Sequence, residues 1–376
     1  MKILVAPNSF KECATSDEIS AIISCGLRNN PDLEIVNKPL SDGGDGFLKV
    51  CEYIFKVETI TYSIKSSYRN NINNYNVLYN SSKKSIYIES AELFGLKVIS
   101  QSERSPLKLS SEILGNLLLN IVEDVNSKKL MVDEVWIGIG GTATIDFGIG
   151  ACSQLGVSFF DADGNRKTPV PENFNQISKI ENTGVRLPFK LKCVVDVETE
   201  LIGEPGAIEI YGKQKGASES DLILIKKGIQ NILNILTTDK RNLLPQKING
   251  AGGGLAAGLN IFFGAEIISA EDFIKKSILQ DINLKELDAV ITGEGRFDFQ
   301  SFEGKGAGVI LKMFGERNIP IFMINGSTNL QSNIKLAENI IVINLIDLFE
   351  SQAESIKNYG AGITKATEIV LKRLRN

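Results

Sequence analysis

The chain of 376 residues is longer than one hydrophobic core usually supports, which favours two domains or one domain with a large insertion. Its composition, 43% hydrophobic and 23% charged, is globular and excludes a disordered, collagen-like or coiled-coil chain. The chain has no histidine, which excludes Ser-His-Asp and Cys-His nucleophile pairs and histidine-based zinc sites. Any general base must therefore be a carboxylate, lysine, tyrosine or cysteine.

The charge distribution gives no sign of a nucleic-acid partner. The net charge is −4, from 41 basic and 45 acidic residues, and no basic block stands out. Five cysteines, none in a Cys-x-x-Cys pair, are typical of reduced thiols. The apolar start at residues 3–6 is too short for a signal peptide, and no run is long enough for a membrane span. We expect a cytoplasmic protein without a membrane partner, and a homodimer is left open.

Short apolar runs alternate with helical patterns at the beginning of the chain. Residues 3–6 predict a buried strand and residues 33–36 a second one. Between them, Thr15-x-x-Glu18 is a capping-box pattern in front of a helix. The apolar positions of this helix have the spacing of a single face: Ile19, Ile22, Ile23 and Leu27.

The middle of the chain has a different texture. Strand-like segments between residues 59 and 89 are separated by Asn-rich turns, a helix is predicted over residues 111–125, and a strand follows at residues 135–139. Apolar residues at helical spacing then extend over four turns: Leu222, Ile225, Ile229, Leu233 and Leu236.

The last third returns to the opening pattern, with apolar strands predicted at residues 289–291, 319–324 and 340–345 and a closing amphipathic helix. The two ends therefore predict one parallel-sheet α/β domain, residues 1–75 and 260–376, interrupted by a mixed α/β domain, residues 76–259.

Glycine, carboxylate and lysine residues concentrate in five segments, and each has an ordinary structural explanation. Residues 41–46, the acidic loop, bear Asp42 and Asp45 and are typical of a tight turn, although they also place backbone N–H groups where a helix begins. Residues 140–150, the glycine loop, follow a strand. They are equally typical of a loop that binds an anion, with help from the dipole of the following helix, and of a turn that only allows close packing. The loop has neither the Walker nor the Rossmann pattern.

The other three segments are also ambiguous when taken singly. Asp196 ends an apolar strand, where it suits a magnesium or substrate ligand or a helix cap. Residues 250–258 suit either close helix packing or a ligand. Residues 291–306 lie beyond a predicted strand, where open α/β sheets bind ligands. Together, the five segments indicate phosphate chemistry, which depends mainly on positioning and charge neutralisation.

These segments carry a resemblance to the type 1 glycerate kinases that covers nearly the whole chain in matching order. Ser9-Phe10-Lys11 resembles the family's opening block, residues 39–46 its Asp-Gly-Gly-Glu-Gly block and residues 140–150 its Gly-Gly-Ser/Thr-Ala-Thr block. Residues 196–217, 250–258 and 291–305 complete the set. The chain departs from the family pattern at these positions: Asn8, Asp45, residues 198–200, Lys213, Gly306 and Ala307.

The resemblance implies a cytoplasmic bacterial kinase that transfers the γ-phosphoryl group of ATP to D-glycerate with Mg²⁺ and forms 2-phosphoglycerate. It implies a flavodoxin-like parallel-sheet domain built from both chain ends, an inserted second mixed α/β domain, and an active site in the cleft between them. Two alternatives stay open. In the first, the chain is a kinase that acts on another small hydroxy acid. In the second, it is a non-catalytic protein that binds a nucleotide or a sugar acid.

Within this interpretation we assign hypothetical roles, with Asp42, Asp196 and Lys11 as the catalytic residues. Asp196 is the candidate magnesium ligand, and Asp42 takes the substrate hydroxyl proton or holds glycerate hydroxyls. ATP phosphate is assigned to Gly140, Gly141, Thr142 and Lys305. Glycerate is assigned to Ser9, Asp45, Glu294, Arg296 and Asp298. Lys11, Arg296 and Lys305 would neutralise anionic oxygens.

Overall fold

The fold is that of a computed structural model, which describes residues 1–10, 13–66, 71–196, 199–238, 244–302, 304, 306–330 and 335–375, without the side chain of Gln300. In chain order, the strands of these residues are β1 (Lys2–Pro7), β2 (Glu34–Asn37), β3 (Glu58–Ser66), β4 (Asn71–Asn80), β5 (Ser85–Glu89), β6 (Glu134–Gly138), β7 (Val157–Phe160), β8 (Lys179–Asn182), β9 (Lys190–Val195), β10 (Glu266–Ser269), β11 (Ala289–Gly293), β12 (Arg296–Asp298), β13 (Ile321–Asn325), β14 (Ser327–Asn329) and β15 (Ile340–Asn344).

The α-helices of the same residues are α1 (Ser16–Leu27), α2 (Phe47–Ile54), α3 (Ser90–Phe94), α4 (Glu112–Asn126), α5 (Ile149–Gln154), α6 (Ala207–Gly212), α7 (Glu219–Thr238), α8 (Leu255–Phe263), α9 (Ala270–Phe273), α10 (Gly306–Phe314), α11 (Gln352–Lys357) and α12 (Tyr359–Leu374). Short helical turns of other geometry cover Gln101–Glu103, Pro171–Gln176, Lys213–Lys215, Ala251–Gly253, Ile274–Ile278, Leu284–Glu286, Phe299–Phe302 and Leu345–Leu348.

The chain divides into two compact units. The first comprises Met1–Asp42, Lys49–Lys56 and Ser269–Asn376, and the second comprises Gly43–Leu48 and Val57–Ile268. The hairpin of β3 and β4 falls in the second unit, whereas the sequence-based boundary at residue 76 assigns β3 and only the first half of β4 to the first domain. Pairing explains this placement, because β4 is hydrogen-bonded to β5 of the second unit along an antiparallel ladder.

The first unit contains a five-stranded sheet in the order β15-β13-β11-β1-β2. Every neighbouring pair is parallel, and the register aligns Pro7 with Gly293 and Asn325 with Asn344. The central strands β1, β11 and β13 are apolar and buried almost throughout, as expected for parallel strands covered on both faces. The predicted parallel-sheet domain built from both chain ends is confirmed.

Helix α1 shows how local sequence builds this unit. The backbone N–H of Thr15 donates to Oε2 of Glu18 at 2.9 Å, half of the predicted capping box. Ile19, Ile23 and Leu27 are completely buried on one face, and burial of each such side chain stabilises the fold by about 1.5–3 kcal/mol. Helix α1 thereby covers one face of the sheet.

The second unit contains a six-stranded sheet in the order β10-β9-β6-β5-β4-β3. Its strands β5, β6 and β9 are parallel, whereas β3, β4 and β5 form an antiparallel meander, so the sheet is mixed as predicted. Helices α4, α5, α7 and α8 supply apolar faces to its core. In the described part of the chain, no helix is both long and apolar enough to cross a membrane.

Candidate active site

The carboxyl edge of the five-stranded sheet holds three of the predicted site residues. Ser9 follows β1, Glu294 follows β11 directly, and Asp42 lies five residues beyond β2. Parallel strands end at one edge, so these residues lie along the same side of the first unit, where open α/β sheets bind ligands. Asp42 and Glu294 are buried, and Ser9 is partly exposed.

A chain of hydrogen bonds fixes the position of Glu294. Its backbone N–H donates to Oδ1 of Asn325 at 3.2 Å, and Asn325 Nδ2 donates to Thr328 Oγ1 at 3.1 Å. The Thr328 hydroxyl in turn donates to Asn344 Oδ1 at 2.6 Å. Asn325 is completely buried at the end of β13. The sequence alone does not identify Asn325 as part of the site, because an Asn at a strand end is also typical of an ordinary turn.

Arg296 and Asp298 lie at the two ends of β12, which pairs with β14 in a small parallel sheet. Their side chains form an ion pair with Arg296 Nε 3.4 Å from Asp298 Oδ2. Arg296 is exposed, whereas Asp298 is partly buried. The guanidinium has donors beyond the one that faces Asp298, so it can also bind an anionic oxygen.

The glycine loop follows β6 in the second unit. Within the described residues, the backbone N–H groups of Gly140, Gly141 and Thr142 donate no hydrogen bond. Neighbouring backbone groups hold the loop in place, since Leu96 N–H donates to Gly141 O and Ala143 N–H to Phe94 O, each at 2.9 Å. Three consecutive donors without protein acceptors suit an anion.

The glycine loop comes close to neighbouring backbone, and a helix follows it only several residues later. A Cβ at position 140 would collide with Gly44 Cα, so only glycine allows this close backbone approach. The helix after the loop, α5, begins only at Ile149, seven residues beyond Thr142. The three N–H groups are therefore not part of the first turn of that helix, and a contribution from its dipole stays a prediction.

Asp196 lies beside the glycine loop. It follows the last residue of β9, and β9 pairs with β6 in a register that aligns Val194 with Gly138. Ile139 N–H donates to Val194 O at 2.9 Å, which continues the pairing into the loop. The side chain of Asp196 is partly exposed. The structure therefore brings Asp196 to the start of the glycine loop, beside Gly140.

Asp196 suits a magnesium ion that also binds substrate phosphate, rather than an ion held entirely by protein ligands. Among the described residues, no group of three or more cysteine, aspartate or glutamate side chains is arranged to hold a metal ion. Mg²⁺ at kinase sites needs only one or two carboxylates and takes its other oxygens from water and substrate phosphates. Asp196, next to three available N–H donors, has the chemistry of such a ligand.

A buried lysine lies against the glycine loop. Lys215 is 6% exposed, and its Nζ donates to Thr142 Oγ1 at 3.1 Å and to Thr144 O at 2.9 Å. Burial lowers the pKa of Lys215 to about 8, against an opposing effect from the charge of Asp146. Lys215 lies within residues 196–217, which carry part of the family resemblance, but the sequence alone assigns it no role.

Asp146 is a second buried charged group of the glycine loop. Its Oδ2 accepts hydrogen bonds of 2.7 Å from both the backbone N–H and the hydroxyl of Ser111, and its Oδ1 accepts from Gly148 N–H at 3.2 Å. Burial raises the pKa of this carboxyl although these hydrogen bonds oppose the shift. Asp146 thus ties the loop to the start of α4.

Asp45 lies next to the glycine loop of the second unit. A Cβ on Gly141 would collide with Asp45 Oδ1, and Asp45 Oδ2 forms a 2.8 Å ion pair with Lys97 Nζ. Ser9, Arg296 and the other predicted glycerate ligands belong to the first unit, and Asp45 to the second. Lys97, which the sequence analysis missed, is an exposed cation near the loop.

Glu89, the last residue of β5, is a further carboxylate that the sequence analysis missed. It is buried, and its two oxygens accept hydrogen bonds from Gly46 N–H at 2.9 Å and Leu48 N–H at 3.0 Å. Burial raises its pKa to about 7, the two hydrogen bonds oppose the shift, and the charges of Glu92 and Asp45 add to it.

Two of the predicted cationic ligands, Lys11 and Lys305, lie outside the described residues. The remaining predicted residues occupy two places. Ser9, Asp42, Glu294, Arg296 and Asp298 belong to the first unit, and Asp45, Gly140, Gly141, Thr142 and Asp196 to the second.

Comparison with known proteins gives a consistent result. A family model described as the glycerate kinase family matches residues 3–375. A glycerate kinase of Neisseria meningitidis is 29% identical over 364 residues, covering 95% of this chain and 94% of that protein. Glycerate 2-kinase of Escherichia coli is 30% identical over 342 residues, covering 87% and 85%. The crystal structure described as glycerate kinase 2 from Salmonella typhimurium superposes with a TM-score of 0.79 at 25% identity, covering 100% of this chain and 98% of the other.

Proposed function

This chain belongs to the glycerate kinase family and is a phosphotransferase, and we propose that it transfers the γ-phosphoryl group of ATP to a hydroxyl of D-glycerate. The observation that carries the proposal is the set of three N–H donors at Gly140, Gly141 and Thr142, which have no protein acceptor among the described residues and lie beside Asp196. Phosphoryl transfer depends mainly on positioning and on neutralising charge, which such donors provide.

The glycine loop is proposed to bind ATP phosphate. Its three N–H groups would donate hydrogen bonds to anionic oxygens on one side, and buried Lys215 adds positive charge on the other. Exposed Lys97, which is paired with Asp45, is a further nearby cation. A phosphate group would compete with the Asp45 carboxylate for Lys97, because both are anionic acceptors.

Mg²⁺ is proposed as the cofactor, with Asp196 as its protein ligand. When bound, the ion supplies charge neutralisation for the phosphate oxygens. The protein's part is to present the Asp196 carboxylate at the end of β9, next to the N–H donors of the loop. The nearby Asp146 is unsuited to this task, because it is completely buried and already accepts hydrogen bonds from Ser111 and Gly148.

D-Glycerate is proposed to bind at the carboxyl edge of the five-stranded sheet. Arg296 would bind the substrate carboxylate, and Ser9, Glu294 and Asp298 would accept or donate hydrogen bonds to its hydroxyls. Asp42 is proposed to take the proton of the attacking hydroxyl, or to hold it in line for attack. With no histidine in the chain, a carboxylate is the available base at this edge.

The proposed product is 2-phosphoglycerate, as the name of the Escherichia coli relative indicates for that protein. We also propose that the enzyme works in the cytoplasm. All five cysteines are free of disulfides, which supports this location because disulfides are rare in the cytoplasm. The two compact units are proposed to be the two domains expected from the sequence.

The test is a panel of small hydroxy acids incubated with Mg·ATP and scored by release of ADP. The proposal predicts that D-glycerate gives the highest kcat/KM of the panel. A higher value for another hydroxy acid would replace the substrate but keep the reaction. ATP binding without ADP release above the ATP-only blank would instead indicate a non-catalytic binding protein.

A further inference from the structure

Lys215 is an unusual buried cation. Within the described residues, Lys215 Nζ forms no ion pair, and its hydrogen-bond acceptors are the neutral Thr142 hydroxyl and Thr144 carbonyl. Burying an ammonium group that has no carboxylate in direct contact is costly even with the charge of Asp146 nearby, and an apolar side chain of the same size would avoid that cost. Stability alone therefore does not explain a lysine here, and a charged ligand at the loop would.

The contact with Thr142 has a chemical consequence. A threonine hydroxyl has one hydrogen to donate and lone pairs to accept. Because Lys215 donates to Thr142 Oγ1, the oxygen acts as acceptor in that bond, and its hydrogen is left to donate elsewhere. Among the described residues, the Thr142 hydroxyl donates to no acceptor. It can therefore join the N–H groups of Gly140, Gly141 and Thr142 as a fourth donor.

The surroundings of Lys215 keep it in place and keep it charged. Asp146, on the same loop, is the carboxylate whose charge raises the pKa of Lys215 against the effect of burial. The turn that carries Lys215 is also held by Arg104, whose guanidinium donates to the backbone oxygen of Gln214, one residue before Lys215. The turn that carries Lys215 ends at Gly216 in the left-handed conformation, at a φ of 93°.

We propose that Lys215 is a positioning residue for the phosphates of the nucleotide: it orients the Thr142 hydroxyl as a donor and places a positive charge behind the N–H groups of Gly140, Gly141 and Thr142. This inference rests on the proposed function, since it requires that the glycine loop binds a nucleotide polyphosphate. It adds a buried residue that would act through the loop without itself being exposed to solvent.

The test compares Lys215→Met with Lys213→Met in equilibrium binding of ATP, ADP and adenosine to the full chain. Lys213 lies in the same turn but is exposed and paired with Glu219, so it controls for the loss of one positive charge. Lys215→Met should weaken ATP and ADP binding by about 10- to 100-fold, the range for a charge-assisted hydrogen bond. Adenosine, which has no phosphate, should bind within about twofold of the parent, and Lys213→Met should leave all three unchanged.

Equal weakening of adenosine and ATP by Lys215→Met would contradict the proposal, because it would indicate a structural role. So would unchanged ATP binding. If the parent itself binds neither ATP nor ADP, the proposed function is wrong and the role of Lys215 fails with it. If the parent binds ATP and ADP, but Lys215→Met weakens adenosine as much as ATP or leaves ATP binding unchanged, only the Lys215 proposal is overturned.

A second measurement uses the parent and does not depend on the variant folding. In protein labelled with ¹³C-lysine, the ε-carbon resonance of Lys215 is expected to titrate near pH 8. ADP should raise this apparent pKa, because a nearby phosphate favours the charged amine, and adenosine should not. An unchanged pKa in saturating ADP would contradict the proposal.

Discussion

The carboxylate of Glu89 accepts a 2.9 Å hydrogen bond from the backbone N–H of Gly46. Its second oxygen accepts from Leu48 N–H, in the first turn of α2. Helix starts leave N–H groups without intrahelical acceptors, and a buried carboxylate from a neighbouring strand satisfies two donors here. Glu89 thereby fixes the end of the acidic loop against β5.

This contact predicts a pH-dependent stability that depends on Glu89. Because burial raises the pKa of Glu89 to about 7, the folded chain keeps a proton between pH 4.5 and 7 that the unfolded chain has lost. The contribution of Glu89 to the free energy of unfolding therefore falls as pH rises through this window, by about 3 kcal/mol. Glu89→Gln cannot titrate, so its stability should fall less between pH 5 and pH 8 than that of the parent. Urea unfolding at the two pH values measures the difference.

Glu92→Gln is the matched control, since Glu92 is exposed on α3 three residues away. It should keep most of the pH dependence of the parent. Identical pH dependence in the parent and Glu89→Gln would show that Glu89 is ionised throughout the range and that its pKa is not raised.

Asp196→Asn should lower kcat by roughly 10²-fold or more, because an amide is a poorer magnesium ligand than a carboxylate. High Mg²⁺ should restore part of the activity. The substitution keeps the size of the side chain, and Asp196 is partly exposed, so the melting temperature should stay within a few degrees of the parent. Steady-state kinetics over a series of Mg²⁺ concentrations gives the answer. Parental kcat and KM in the variant would remove Asp196 from the site.

Asp42→Asn should also lower kcat, within the range of about 10²–10⁴-fold for loss of a general base, but without rescue by Mg²⁺. The exposed Asp32→Asn, in the same unit, should leave kcat unchanged. Rescue of Asp42→Asn by Mg²⁺ would exchange the two proposed roles. Loss of activity that accompanies unfolding of the variant would leave Asp42 as a structural residue of the turn.

Asn325→Ala removes the acceptor for the backbone N–H of Glu294 and should destabilise the chain by about 1–3 kcal/mol, since it leaves a buried donor unsatisfied. It should also raise the KM for glycerate, because Glu294 would lose its fixed position. Asn329→Ala, at the exposed end of β14, controls for loss of an amide and should do neither. A stability loss with an unchanged KM would show that Glu294 does not bind glycerate.

The sequence predicts those parts of the fold that depend on local pattern. The five apolar positions predicted for one long helix, from Leu222 to Leu236, are all buried on α7. Their 3.6-residue spacing alone specifies the buried face. The apolar strand at residues 3–6 is likewise confirmed as part of the completely buried centre of β1. The strand-like segments between residues 59 and 89, separated by turns, likewise predicted that this part of the chain differs from the parallel-sheet ends.

The residues that the sequence did not reveal depend on contacts between distant segments. Glu89 ends a strand and accepts hydrogen bonds from N–H groups more than forty residues earlier in the chain. Lys215 donates to Thr142, which lies 73 residues earlier. In sequence, a glutamate before a helix and a lysine in a turn are typical of solvent-exposed positions. Only the folded chain shows that both are buried and bonded to the loops predicted to bind ligands.

The most direct test of the central claim is ³¹P NMR of the products formed from D-glycerate and Mg·ATP. The account predicts one phosphomonoester, 2-phosphoglycerate, formed in equal amount with ADP. Exclusive 3-phosphoglycerate would contradict the proposed position of transfer and keep the kinase. ADP and inorganic phosphate at the rate of the ATP-only blank, with no phosphomonoester, would contradict the claim that this chain phosphorylates glycerate.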